Sequence, residues 1–249
     1  MAQDLLRMRD VALTYETPRG AFTAVDGVSF SVREEERFVL FGPSGCGKST
    51  LLQAMAGFLQ PARGSIELAG RPVRGPGPDR VVVFQEFDQL LPWRTVLGNV
   101  AYPLRVARGM TEPQARAEAL RFVRLVGLED FANTHPHQLS GGMKQRVAIA
   151  RSLALSPRML LMDEPFASLD GITRHRLQED LLALLQSART TLLFVTHSVE
   201  EAVLLGDRIL VLTSSPGKVR GVIENSASGG RDSASAAQVQ RAVQELLAG

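Results

Sequence analysis

The chain has 249 residues, 45% hydrophobic and 22% charged, with a formal net charge of +2; this allows one α/β domain with an inserted lobe and lacks the concentrated basic face expected of a nucleic-acid binder. Its one cysteine, Cys46, excludes an intrachain disulfide framework and a cysteine-based zinc cluster and fits a reducing compartment. The start MAQDLLRMRD lacks the apolar stretch of a signal peptide and no run of about eighteen apolar residues occurs, so membrane association is expected only through a partner.

In chain order, Val11-Ala12-Leu13-Thr14-Tyr15 and Val28-Ser29-Phe30-Ser31-Val32 alternate apolar with polar residues around the turn-rich Glu16 to Gly20, which predicts a small antiparallel sheet. Val39-Leu40-Phe41 then reads as a buried strand, and Ser49 to Phe58 as a helix. Between them, Gly42-Pro43-Ser44-Gly45-Cys46-Gly47-Lys48-Ser49-Thr50 matches the P-loop pattern in the strand-to-helix context that the motif requires. Glycines let backbone N–H groups turn around phosphate oxygens, and the helix adds the positive end of its dipole. Lys48 is then expected on the β- and γ-phosphates, and the Ser49 hydroxyl on Mg2+. Cys46 is expected only to line the loop, although a helix N-terminus lowers a thiol pKa.

Val81 to Phe84 is a second buried strand, and Gln85 emerges from its end as a candidate to ligate magnesium or orient a water. From about Glu86 to Pro157 the pattern is helical, with a capping box at Thr111 to Gln114 and a stop at Gly127. His135 and His137 lie in a loop without further ligands and carry no chemistry. Ser140 is placed to cap a helix opened by Gly141 and Gly142, which leaves bare N–H groups aimed outward at an anion. Two glycines at the start of a helix cost stability, about 1 kcal/mol each.

Met159 to Met162 is an apolar strand ending in Asp163 and Glu164, where Pro165 turns the chain. Asp163 is expected to hold the magnesium and Glu164 to be the general base or water-positioner. Arg174 to Ser187 is helical, Leu192 to Thr196 is a strand from which His197 emerges toward a γ-phosphate, and Ile209 to Leu212 is a further strand. Five buried runs alternating with helices predict a largely parallel, covered sheet. After Glu224, Asn225 to Gly230 has a flexible-linker composition, and Val239, Val243, Leu246 and Leu247 predict one short helix.

Leu139-Ser140-Gly141-Gly142-Met143-Lys144-Gln145-Arg146 resembles the signature motif of ABC ATPases. The resemblance covers Met1 to about Glu224 and implies a RecA-like P-loop NTPase fold with an N-terminal antiparallel β subdomain and a helical subdomain. It makes Tyr15 the aromatic that stacks on adenine, Ser168-Leu169-Asp170 the loop communicating across a dimer, and Ser140 to Gly142 the contact on the γ-phosphate held by a second copy. ATP and Mg2+ are the implied cofactors. The implied partners are that second copy, integral-membrane permease subunits and, indirectly, a solute-binding protein, which would put the chain on the cytoplasmic face of the inner membrane.

Leu90 to Val96, Asp163 to Phe166, Thr196 to Ala202 and Ser215-Pro216-Gly217-Lys218-Val219 resemble the taurine, aliphatic sulfonate and nitrate importer branch; Ala167-Ser168 and the Ser/Gly tail depart from it. Phe87 to Val96 is a candidate permease-docking run, against the alternative that Trp93 and its neighbours fill the lobe's core. Two rival functions stand beside the importer: a soluble ABC ATPase acting on nucleic acid or the ribosome, and a small-molecule kinase.

Overall fold

A computed structural model describes residues 4–18, 20–85, 89–167, 169–229 and 233–248. It comprises two compact units, Met1–Gly77 with Thr191–Gly249 and Pro78–Thr190.

In the first unit, β1 (Asp4–Thr17), β2 (Gly20–Arg33), β4 (Arg63–Leu68) and β5 (Arg71–Pro72) form an antiparallel sheet in the order β2-β1-β4-β5. The alternation in β2 buries Val28, Phe30 and Val32 and turns Ser29 outward, as the pattern predicts. Beside it, β3 (Arg37–Phe41) pairs in parallel with both β8 (Thr191–Thr196) and β9 (Arg208–Leu212), and β10 (Val219–Glu224) closes the edge antiparallel to β9. Phe38, Val39 and Leu40 are fully buried, so the apolar run is a central strand. Phe30 and Phe38 stack with centroids 5.2 Å apart, and the Arg208 guanidinium lies 5.2 Å from the Phe38 centroid. These contacts set the antiparallel sheet against the strand that leads into the phosphate loop.

Helices α1 (Lys48–Ala56), α6 (Val199–Leu205) and α7 (Ser233–Ala248) complete this unit. The stretch after Glu224 is not a free linker where it is described. Asn225 Nδ2 donates to the carbonyls of Val203 and Gly206 at 2.7 and 2.6 Å. Ser228 donates to Asp207 at 2.8 Å and accepts from Arg37 at 2.8 Å. Burial pushes the Asp207 carboxyl up, but the donors of Arg37 and Ser228 outweigh it and hold it below the usual range. Composition reported small polar residues and missed that Asn225 satisfies backbone carbonyls and Ser228 joins the Arg37 and Asp207 side chains. Helix α7 packs on α6, β9 and β10, with Val239 and Val243 buried.

The second unit pairs β6 (Arg80–Val83) in parallel with β7 (Met159–Asp163) and contains α2 (Val96–Arg108), α3 (Glu112–Leu125), α4 (Gly141–Ala154) and α5 (Gly171–Ala188). Gln114 accepts from the Thr111 N–H at 3.1 Å, as part of the capping box read from the sequence. Helix α5 begins three residues before the Arg174 expected, because Asp170 caps it by accepting from Thr173 N at 3.1 Å. No helix among the described residues is long and apolar enough to cross a membrane.

Candidate functional site

Strand β3 ends at Phe41 and α1 opens at Lys48, so residues 42–47 form the loop between a buried strand and a helix N-terminus. Gly47 caps α1 with φ +92°, a conformation that side-chain-bearing residues rarely adopt. A Cβ there would also lie 2.6 Å from Val25 Cγ2 and 2.9 Å from the Ala24 carbonyl oxygen. The loop is therefore held by close backbone packing against β2. Pro43, Ser44, Gly45 and Ser49 are exposed, which leaves the loop's outer side open.

Lys48 is only 4% exposed, and its Nζ donates to the carbonyls of Gly42 and Pro43 at 2.8 and 2.9 Å. The ammonium is thus fixed within the loop, with two of its three protons on neutral acceptors. Cys46 is fully buried, with Sγ 3.9 Å from that Nζ. Burial pushes the Cys46 thiol up and the neighbouring Lys48 only partly offsets it, so desolvation prevails over the helix N-terminus at this cysteine.

Tyr15 lies on β1, and its hydroxyl donates to Thr50 Oγ1 in the first turn of α1 at 3.2 Å. The structure therefore brings Tyr15 to the P-loop helix, despite the long turn that separates them in sequence. Phe41 and Thr196 are register partners in β3 and β8, so Gly42 and His197 leave the same end of two adjacent parallel strands. His197 is exposed there. Thr196 donates to Glu201 at 2.6 Å and Ser198 caps α6, which fixes the backbone on both sides of the histidine.

In the second unit, Val83 and Met162 are register partners, so Gln85 and the pair Asp163, Glu164 emerge at one end of β6 and β7. Gln85 is exposed, and its neighbour Phe84 is clamped by Gln89, whose amide bonds both its N–H (3.2 Å) and its C=O (3.0 Å). Arg151 of α4 donates to the Gln89 carbonyl at 2.7 Å. The sequence reading missed this clamp, which joins residues 62 apart. Glu164 sits at φ +43°, and the Ala167 N–H donates back to its carbonyl at 3.2 Å. A left-handed glutamate costs about 1–3 kcal/mol, a strain typical of residues whose side chain must be aimed. The turn thus begins at Glu164, one residue before the proline credited with it.

Ser140 is exposed and its Oγ accepts from Met143 N at 3.3 Å, the expected cap of α4. A Cβ on Gly142 would come 2.7 Å from Thr173 Cγ2 on α5, so Gly142 also serves helix packing. Gln145, one turn on, is fully buried, and neither of its amide atoms has a partner among the described residues. Ser168 lies outside the described residues, while Leu169 is buried and Asp170 serves as the cap of α5. Ile172, beside it, is 86% exposed.

Of the candidate docking run, Phe87 lies outside the described residues, Leu90 and Val96 are buried, and Trp93 is 71% exposed. Trp93 therefore does not fill the core of its unit. The buried Asn99 holds the turn that presents it, accepting from Leu91 N at 2.8 Å and donating to the carbonyls of Leu91, Arg94 and Thr95 at 3.1 Å each. His135 and His137 stack on each other, and no cluster of three or more metal-ligating side chains occurs among the described residues.

The family model described as "ABC transporter" matches residues 25–167. The nitrate import ATP-binding protein NrtD of Synechococcus elongatus is 45% identical over 214 residues, covering 86% of this chain and 78% of its own. The taurine import ATP-binding protein TauB of Rhizobium johnstonii is 52% identical over 196 residues, covering 79% and 74%. Among solved structures, the dimeric post-hydrolysis state of the ATP-binding cassette MJ0796 bound to ADP and Pi superposes with a TM-score of 0.77 at 33% identity, covering 88% of this chain and 98% of that one.

Proposed function

Since the chain belongs to the ABC transporter family, as one of its ATP-binding subunits, we propose that it hydrolyses ATP to power import of a small anion. The observation that carries this is the pairing of chemistries within one chain: a P-loop with a fixed, buried Lys48, and a second helix N-terminus, at Ser140, that is exposed and opened by glycines. The nitrate and taurine import subunits that resemble the chain support the anion class. They also speak against a nucleic-acid or ribosome-acting ATPase.

In this mechanism backbone N–H groups of the loop, to which Pro43 contributes none, and the Lys48 side chain bind the terminal phosphates, and Tyr15 stacks on the adenine ring. Ser49, Gln85 and Asp163 each offer a side-chain oxygen, a donor type that suits Mg2+, a hard cation that takes few protein ligands beside phosphates. These three residues would hold the ion, which neutralises charge on the phosphate oxygens when bound. Glu164 orients the attacking water and receives its proton, and His197 donates a hydrogen bond to the γ-phosphate.

A second copy supplies Ser140 to Gly142 to the same phosphate, so that each nucleotide is enclosed by two chains. The dimeric cassettes that resemble the chain support this arrangement, and the exposed Ile172 beside Asp170 supplies apolar surface for such a partner. Trp93 is the aromatic anchor for a permease helix, through which the chain would sit on the cytoplasmic face of the membrane. The test is reconstitution with the cognate permease and solute-binding protein in vesicles. Hydrolysis should rise when the binding protein is loaded with nitrate, bicarbonate or a sulfonate, whereas a response only to RNA or ribosomes would refute the importer.

A further inference from the structure

The turn between β9 and β10 carries Ser215-Pro216-Gly217-Lys218, a segment with no part in the chemistry above. Its backbone docks on β2 at Ala24 to Asp26, within the strand. The Gly217 N–H donates to the Ala24 carbonyl at 2.9 Å, its own carbonyl accepts from Asp26 N at 3.1 Å, and Gly217 forms a parallel bridge with Val25. Asp26 ties the same region by ion pairs to Arg63 at 2.9 Å and Lys218 at 3.5 Å. The Ala24-Val25 stretch of β2 thus contacts both Gly217 and the phosphate loop's Gly47, whose missing side chain Val25 and Ala24 require.

Gly217 also meets the loop directly. A Cβ built on it would lie 2.1 Å from the Cys46 carbonyl oxygen and 3.3 Å from the carbonyl carbon. The two distances differ by nearly the full length of a C=O bond, about 1.23 Å. The Cys46 carbonyl therefore points almost straight at Gly217. The only cis peptide among the described residues is Ser215-Pro216, so the Cys46–Gly47 peptide is trans. In a planar trans peptide the N–H points opposite to the C=O. The Gly47 N–H is accordingly aimed away from Gly217.

We infer that Gly217 is a positioning residue for nucleotide binding: lacking a side chain, it lets the Cys46 carbonyl lie against it and so turns the Gly47 N–H toward the phosphates. The role rests on the ATP-binding function proposed above. Any side chain at 217 collides with backbone at 2.1 Å, not with the flexible end of a side chain, so the peptide or the turn must move.

The experiment compares ATP hydrolysis and ADP binding by the unmodified chain, Gly217→Ala and Lys218→Ala. Gly217→Ala is expected to raise KM for ATP and Kd for ADP by about 10- to 100-fold, the loss of one hydrogen bond to a charged group, with kcat little changed. Lys218→Ala, which alters the same turn without intruding on the loop, should match the unmodified chain.

Should Gly217→Ala fail to fold, the amide resonance of Gly47 in the unmodified chain decides, since it should shift on addition of ADP and stay in place with adenosine. A Gly217→Ala variant that binds ADP as tightly as the unmodified chain, or a Gly47 amide unmoved by bound ADP, would overturn the role of Gly217. Absence of any ADP binding by the unmodified chain would instead overturn the ATP-binding function itself.

Discussion

The phosphate loop of the first unit and the Ser140 turn of the second are both glycine-bearing helix N-termini, yet they are built in opposite ways. Around the loop, neighbouring backbone leaves no slack: Gly47 is packed on Ala24 and Val25, Cys46 faces Gly217, and Lys48 is tied to two carbonyls. At the Ser140 turn the capping residue is exposed, and one turn later the amide of a fully buried Gln145 has no partner among the described residues. Glu164, in the same unit, holds a left-handed backbone. A loop so over-determined is suited to receive a ligand without rearranging, while stored strain and an unsatisfied buried amide are features of an element that has more than one arrangement.

That contrast is sharpened most by changing the strained residue. Glu164→Gln keeps the side chain's shape and removes its basicity. Turnover measured by phosphate release should fall about 10²- to 10⁴-fold while ATP affinity holds, and near-normal turnover would take Glu164 out of the chemistry. A smaller effect of opposite sign is expected at Gln145. Gln145→Met retains the volume and removes two unpaired polar atoms, so urea unfolding should show a gain of about 1–3 kcal/mol. A loss of stability would mean that the amide is satisfied after all, and the two N-termini would then differ less than their packing indicates.

What was legible in the sequence divides along the same line. The P-loop, the strand ends at Gln85, Asp163 and His197, and the cap at Ser140 are local patterns, in which a strand or helix period and its terminator sit within about ten residues of each other. Strands β4 and β5 went unread although Ile66 and Leu68 alternate with polar residues before the Ala69-Gly70 turn, because the stretch is short and mostly exposed. Strand β10 buries none of its residues and so has no apolar signature.

The anchoring of Asn225 and Ser228, the Arg151 and Gln89 clamp and the packing of Gly217 on Cys46 all join residues far apart in the chain, and no spacing rule reports such contacts. Tyr15 is intermediate. Its proposed role at the site comes from resemblance alone, and its hydrogen bond to Thr50 places it against the P-loop helix. Trp93 shows the reverse, since an aromatic amid leucines reads equally well as core or as surface until its exposure is known.

The central claim is that one chain's Lys48 loop and another chain's Ser140 turn form a single working site. Mixing two disabled variants tests it most directly. Lys48→Ala has an intact signature turn and Ser140→Arg an intact phosphate loop, so a mixed dimer contains one complete site although neither variant has one alone. Phosphate release from the mixture, with the permease present, should exceed the sum of the two separate rates by several-fold. A mixture no more active than its components would contradict the two-chain site.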